Sequence, residues 1–149
     1  TLFAFGNGGS TTDAQDLVAD LLDPPFAGAA PLPALALTND IAVITAVGND
    51  VGFENVFARQ VIAFGRPGDI AVGISTSGNS LNVLAALEQA KKQGLLTISL
   101  TGYDGGKAAR SRYPNMSRTP IVADRITSIS SELRPSSLLR SRSNRLSVR

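Results

Sequence analysis

The chain has 149 residues, 43% of them apolar, which suffices for one domain with a real core. It holds neither cysteine nor histidine, so a disulfide framework and a thiolate metal site are excluded, and the commonest general base and commonest metal ligand are missing together. The formal net charge of +2 conceals a split: residues 1–109 carry five basic and ten acidic side chains, net −5, and residues 110–149 carry nine and two, net +7.

Strand and helix signals alternate over residues 1–109, the pattern of a parallel sheet wrapped by helices. Leu2 to Phe5 reads as a strand, followed by a helix from Thr11 or Thr12 to Leu22 with Ala14, Leu17, Val18, Leu21 and Leu22 inward. Pro24 and Pro25 stop it. A short strand at Ala34 to Leu37 leads to a helix capped by Asn39 or Asp40 and running to Val47, with Asn49-Asp50-Val51-Gly52 as the break. The next helix spans Asn55 to Phe64, with Val56, Phe57, Val61 and Ile62 as its stripe. Ile70 to Ile74 is a buried strand, a helix begins near Ser80, and Gly94 closes it before the strand Leu95 to Leu100.

Beyond Arg110 the texture changes, with ten serines and nine arginines in residues 110–149. A fifth strand is expected near Ala123 to Ile129. After Pro135 the segment SSLLRSRSNRLSVR lacks a continuous apolar stripe. It reads as a weak helix, a basic disordered tail or a miswritten sequence. The domain is therefore placed at residues 1–135 and the basic Ser/Arg tail at 136–149. No apolar run approaches the roughly 20 residues that span a bilayer, so no membrane partner is expected, and the absence of cysteine makes the cytoplasm the expected compartment. A chain that opens inside a strand is also expected to have lost its natural N-terminus.

The chemistry concentrates in two loops of one design. Ser75-Thr76-Ser77-Gly78-Asn79-Ser80 joins a buried strand to an amphipathic helix, whose unpaired amides and positive dipole end point back into the loop. The hydroxyls of Ser75, Thr76, Ser77 and Ser80 add donors, so the natural guest is a phosphate. Gly6-Asn7-Gly8-Gly9-Ser10 repeats the arrangement after the first strand, its glycines letting backbone approach a ligand. Two such loops at the carboxyl ends of parallel strands face one crevice. Gly6-x-Gly8 is not a dinucleotide fingerprint, because Thr11 replaces the third glycine. Gly102-Tyr103-Asp104-Gly105-Gly106-Lys107 is not a nucleotide phosphate loop, because it has three spacers and ends on Ala108; it reads as a turn.

FGNGGS with the following DAQ, TAVGNDVGFENVFARQV, GISTSGNSLNVLAALE and TGYDGGK together resemble the sugar isomerase (SIS) domain family, and within it the phosphoheptose isomerases, which interconvert sedoheptulose 7-phosphate and a heptose 7-phosphate. The resemblance implies an α/β fold, a three-layer open parallel sheet of about five strands in flavodoxin-like order, packed into homodimers or homotetramers by helices ahead of the first strand. It implies a phosphate site at Ser10, Ser75, Thr76, Ser77 and Ser80 beside the Gly8 and Gly9 backbone, and sugar-hydroxyl contacts from Asn7 and Asp50. Where the family has a histidine and, four residues on, an acid/base glutamate, this chain has Asp16 and Asp20. The shorter Asp20 carboxylate and Glu132, in a stretch that echoes the loop before the family's last motif, are the candidate acid/base groups. The family's metal-binding histidines have no counterpart, so neither metal nor cofactor is expected.

A phosphosugar isomerase-like enzyme acting on a small-molecule sugar phosphate is the leading function. The alternatives are a non-catalytic phosphosugar-binding regulatory module, and a protein resembling the family branch that accompanies the bacterial replication initiator. Nucleic acid is an unlikely partner on sequence grounds: the basic half carries no interleaved aromatic residues, and Tyr103 and Tyr113 are the only tyrosines.

Overall fold

The computed structural model describes residues 1–110. Four strands, β1 (Leu2–Gly6), β2 (Ala34–Ala36), β3 (Ile70–Ser75) and β4 (Leu96–Thr101), form one parallel sheet in the order β2-β1-β3-β4. Five helices connect and follow them: α1 (Gly9–Leu22), α2 (Ile41–Asp50), α3 (Ala58–Phe64), α4 (Leu81–Lys92) and α5 (Gly106–Arg110), with a 3-10 turn at Phe53–Asn55. The order is that of a flavodoxin-like sheet. The sheet has four strands among the described residues, against about five expected; the strand expected near Ala123 to Ile129 lies outside them.

Helices cover both faces because alternate strand residues point opposite ways. Phe3, Phe5 and Ala71 enter a core with Val56, Phe57, Val61, Val83 and Leu87 from the α3/α4 side. Ala4, Ala36 and Val72 meet Ala14 and Val18 of α1 on the other face. Gln60 is the buried polar group of α3, donating from Nε2 to the Leu37 and Val56 carbonyls at 2.9 and 3.0 Å. That bond anchors the chain where it leaves β2.

The element boundaries depart from the sequence reading at several points. The helix α1 starts two or three residues early, at Gly9, so Ser10 lies in its first turn. The helix α2, capped by the Asp40 carboxylate accepting from the Val43 amide at 3.0 Å, continues through the expected break to Asp50. Helix α3 begins only at Ala58, because the 3-10 turn takes up Phe53–Asn55. Leu22 and Ile62, expected to face inward, are 49% and 47% exposed. Strand β3 extends to Ser75, which places that hydroxyl at the strand end itself.

Candidate functional site

Register brings the two loops together. Ala4 pairs with Val72 and Gly6 with Ile74, so β1 and β3 end side by side and the loops that follow emerge from adjacent strands. After β1 the chain turns at Gly8 and enters α1, with the Ser10 and Thr11 amides donating to the Asn7 and Gly8 carbonyls at 3.0 Å. Gly8 and Gly9 are exposed, Asn7 is half-buried and Ser10 is buried.

In the second loop Ser75 is buried, Thr76 and Ser77 are exposed, and Ser80 sits at the N-cap of α4. The Ser80 side chain makes no capping bond to the helix. Instead Ser75 Oγ donates to Ser80 Oγ at 3.0 Å, and Ser77 Oγ accepts from the Asn79 amide at 3.2 Å. The Leu81 and Asn82 amides fall in the first turn, where no intrahelical acceptor exists. Hydroxyls therefore stand beside dipole-end amides at the start of α4, donor types that suit an anion.

The Gly102–Gly106 segment is a turn, as expected, and also the wall of this loop. The Gly102 amide donates to the Thr76 carbonyl at 3.0 Å and the Ala108 amide to the Gly78 carbonyl at 3.0 Å. Asn79 spans the gap, its Oδ1 accepting from the Lys107 amide at 3.0 Å and its Nδ2 donating to the Ser77 carbonyl at 2.8 Å. Asp104 closes the turn: donation from the Arg110 guanidinium, then from the Gly106 amide at 3.2 Å, holds its carboxyl below the usual carboxylate range.

Two long-range side-chain bonds join the loops. Asn7 Nδ2 donates to Asn82 Oδ1 at 2.7 Å, and Asn82 Nδ2 returns the bond to Asn7 Oδ1 at 2.8 Å. The sequence reading named Asn7 and missed Asn82. Its signal was present, since Asn82 stands four and eight residues before Ala86 and Ala90 on the buried stripe of α4.

The other named residues lie apart from this cluster. Asp50 ends α2, exposed, its Oδ1 accepting from Asn49 Nδ2 at 2.7 Å, with no bond to either loop. Asp20 is exposed on α1. At about 1.5 Å per residue it stands some ~15 Å along the axis from Ser10, and at about 100° per residue it points away from the Ala14 and Val18 stripe, as does Asp16. Glu132 lies outside the described residues. A separate cleft of about 320 Å³, lined by Leu35, Val43, Arg59 and Phe64 among others, shares no residue with either loop. Among the described residues no group of three acidic side chains is placed to hold a metal ion.

The fold and loops define an α/β domain with two small-residue, hydroxyl-bearing loops at the carboxyl end of a parallel sheet. Residues 1–102 match the SIS domain family, and the chain belongs to that family. It is 55% identical over 123 residues to a phosphoheptose isomerase of Nitratidesulfovibrio vulgaris (strain Miyazaki F), covering 80% of this chain and 59% of that protein. The phosphoheptose isomerase of Aquifex aeolicus is 53% identical over 106 residues, or 71% of this chain and 56% of the relative. Among solved structures, the Neisseria gonorrhoeae phosphoheptose isomerase superimposes with a TM-score of 0.69 at 49% identity, covering 74% of this chain and 57% of that one. A Francisella tularensis phosphoheptose isomerase gives 0.70 at 44% identity, with 74% and 58% covered. The chain spans little more than half the length of these relatives.

Proposed function

We propose that this chain is a phosphoheptose isomerase-like protein that binds a sugar phosphate of the sedoheptulose 7-phosphate type and interconverts ketose and aldose. The observation that carries the reading is the pair of loops at the ends of β1 and β3, joined through Asn7 and Asn82, with Ser75 bonded to Ser80 at the N-terminus of α4. Relatives named phosphoheptose isomerase at about half identity support the substrate class.

In this reading Ser10, Ser75, Thr76, Ser77 and Ser80 with the Gly8 and Gly9 backbone hold the phosphate, while Asn7 and Asp50 orient hydroxyls. A carboxylate removes a proton from carbon 1 of the ketose, and oxygen 2 gains a proton as the C1–C2 enediol forms. Return of the proton to carbon 2, with loss of the proton on oxygen 1, leaves the aldose. Glu132 and Asp20 are the carboxylates assigned to this transfer, Asp20 reaching the ligand from a neighbouring copy because it points outward on its own α1. No metal or cofactor enters the scheme. We take the assembly to be a homodimer or homotetramer, a reading supported by α2, an apolar helix none of whose residues is buried. No described helix is long and apolar enough to cross a membrane.

The outward placement of Asp20 favours one second reading, a module that binds the phosphosugar without turning it over. Calorimetric titration with sedoheptulose 7-phosphate, with proton NMR to follow aldose formation, separates the two. Binding with turnover supports the isomerase; binding without turnover, unchanged in Asp20→Glu, supports the module; a flat titration refutes both.

A further inference from the structure

We propose that Asn82 is a positioning residue that fixes the Asn7 amide toward the sugar; the proposal deepens the phosphosugar reading and rests on it. Asn82 is 3% exposed and occupies the second residue of α4, on a stripe that otherwise carries Ala86 and Ala90 into the core. An amide there is costly unless its bonds are met. They are met by three contacts: the two reciprocal bonds with Asn7 at 2.7 and 2.8 Å, and the Val83 amide donating to Asn82 Oδ1 at 3.0 Å.

The third contact gives the other two a direction. A backbone amide only donates, so the Asn82 atom facing Val83 must be the oxygen, and its nitrogen must face Asn7. That sets Asn7 in turn, with Oδ1 accepting from Asn82 and Nδ2 donating to it. Asn7 retains one N–H and one lone pair, a donor and an acceptor on the two flanks of a half-buried side chain in the glycine loop. Such a pair suits hydroxyl groups, each of which both donates and accepts, whereas phosphate only accepts at its charged oxygens. Capping Val83 would need an acceptor alone; the bond returned to Asn7 requires the amide. Without the clamp the Asn7 side chain would have to be ordered by the ligand itself.

The test is a double-mutant cycle on the full chain, titrated calorimetrically with sedoheptulose 7-phosphate and separately with inorganic phosphate. Asn82→Ala is expected to weaken sugar-phosphate binding about tenfold while inorganic phosphate changes less than about twofold. Asn82→Ala placed on Asn7→Ala should weaken the sugar phosphate no further than Asn7→Ala alone. Should Asn82→Ala fail to fold, Asn82→Gln keeps the amide but displaces it by a methylene and should show the same selective loss. Additive losses in the cycle, or a parallel fall for inorganic phosphate, would overturn the clamp while leaving the phosphosugar reading in place. A wild-type chain that bound inorganic phosphate but no sugar phosphate would overturn both.

Discussion

Ser80 stands where a serine ordinarily accepts from an amide of the first helical turn, an interaction whose loss in Ser→Ala changes costs about 1 kcal/mol. Here the Val83 amide is taken by Asn82, and the Ser80 oxygen accepts from Ser75. The Ser80 hydroxyl is thereby released from capping the helix. Ser80→Ala should therefore lower affinity for inorganic phosphate about tenfold and cost less than the usual ~1 kcal/mol of stability, as read by calorimetry and urea unfolding. An unchanged phosphate affinity with a full capping loss would assign the hydroxyl to the helix instead. The hydroxyls drew attention in the sequence because a phosphate site would demand their type. Asn82 was not singled out, since its role arises only when β1 and β3 bring residues 75 positions apart into contact.

Between elements, the β3–α4 and β4–α5 loops interlock so tightly that side chains are excluded. Gly78 has φ +63°, and a Cβ there would meet the Gly105 carbonyl oxygen at 2.0 Å; a Cβ on Gly106, at φ +52°, would meet the Ser77 carbonyl oxygen at 2.3 Å. Gly78→Ala should cost at least about 2 kcal/mol in denaturant unfolding, because left-handed strain and a backbone clash add. A loss under ~0.5 kcal/mol, the scale of an ordinary surface change, would mean that the two loops part easily. Asp104 holds the same wall by charge. Its carboxyl is depressed by Arg110 and then by the Gly106 amide, so its contribution is present above the unfolded carboxylate value of about 3.9 and is lost as pH falls through the lower folded value. The Gly106 amide proton shift should titrate with a midpoint below ~3.9, and Arg110→Ala should raise that midpoint. A wild-type midpoint at or above ~3.9 would contradict the bond. Periodicity located every described strand and the interiors of the principal helices, because burial writes it into the sequence. The ends were harder to read: Gly9 rather than Thr11 opens α1, and Asp50 rather than Val47 closes α2, because backbone bonding at the termini leaves little trace in side-chain pattern.

For the whole molecule the decisive feature is α2. Its sequence, IAVITAVGND, is that of a core helix, yet no residue in it is buried and it packs chiefly on the 3-10 turn, with Ile44 and Val47 reaching the core only in part. Ile41 is 70% exposed, and Val51 and Phe53 just beyond the helix are exposed as well. An apolar element left this open fits a surface that another copy of the chain covers. Ile41→Glu tests this without harming the helix, because an acidic residue in the first turn complements the dipole and stabilises by about 0.3–1 kcal/mol. If copies meet here, the variant should shift toward monomer in sedimentation velocity, and its melting temperature should lose its dependence on protein concentration, since association stabilises only the folded copies it joins. If α2 is instead an ordinary surface helix, oligomeric state and melting should match the wild type, and the apolar face would need another explanation. The same measurement bears on the site, because Asp50 ends this helix. Were its carboxylate to act on a ligand held between copies, weakening the α2 contact would lower sugar-phosphate affinity at low protein concentration and restore it at high concentration, whereas a site complete within one chain would show no such dependence.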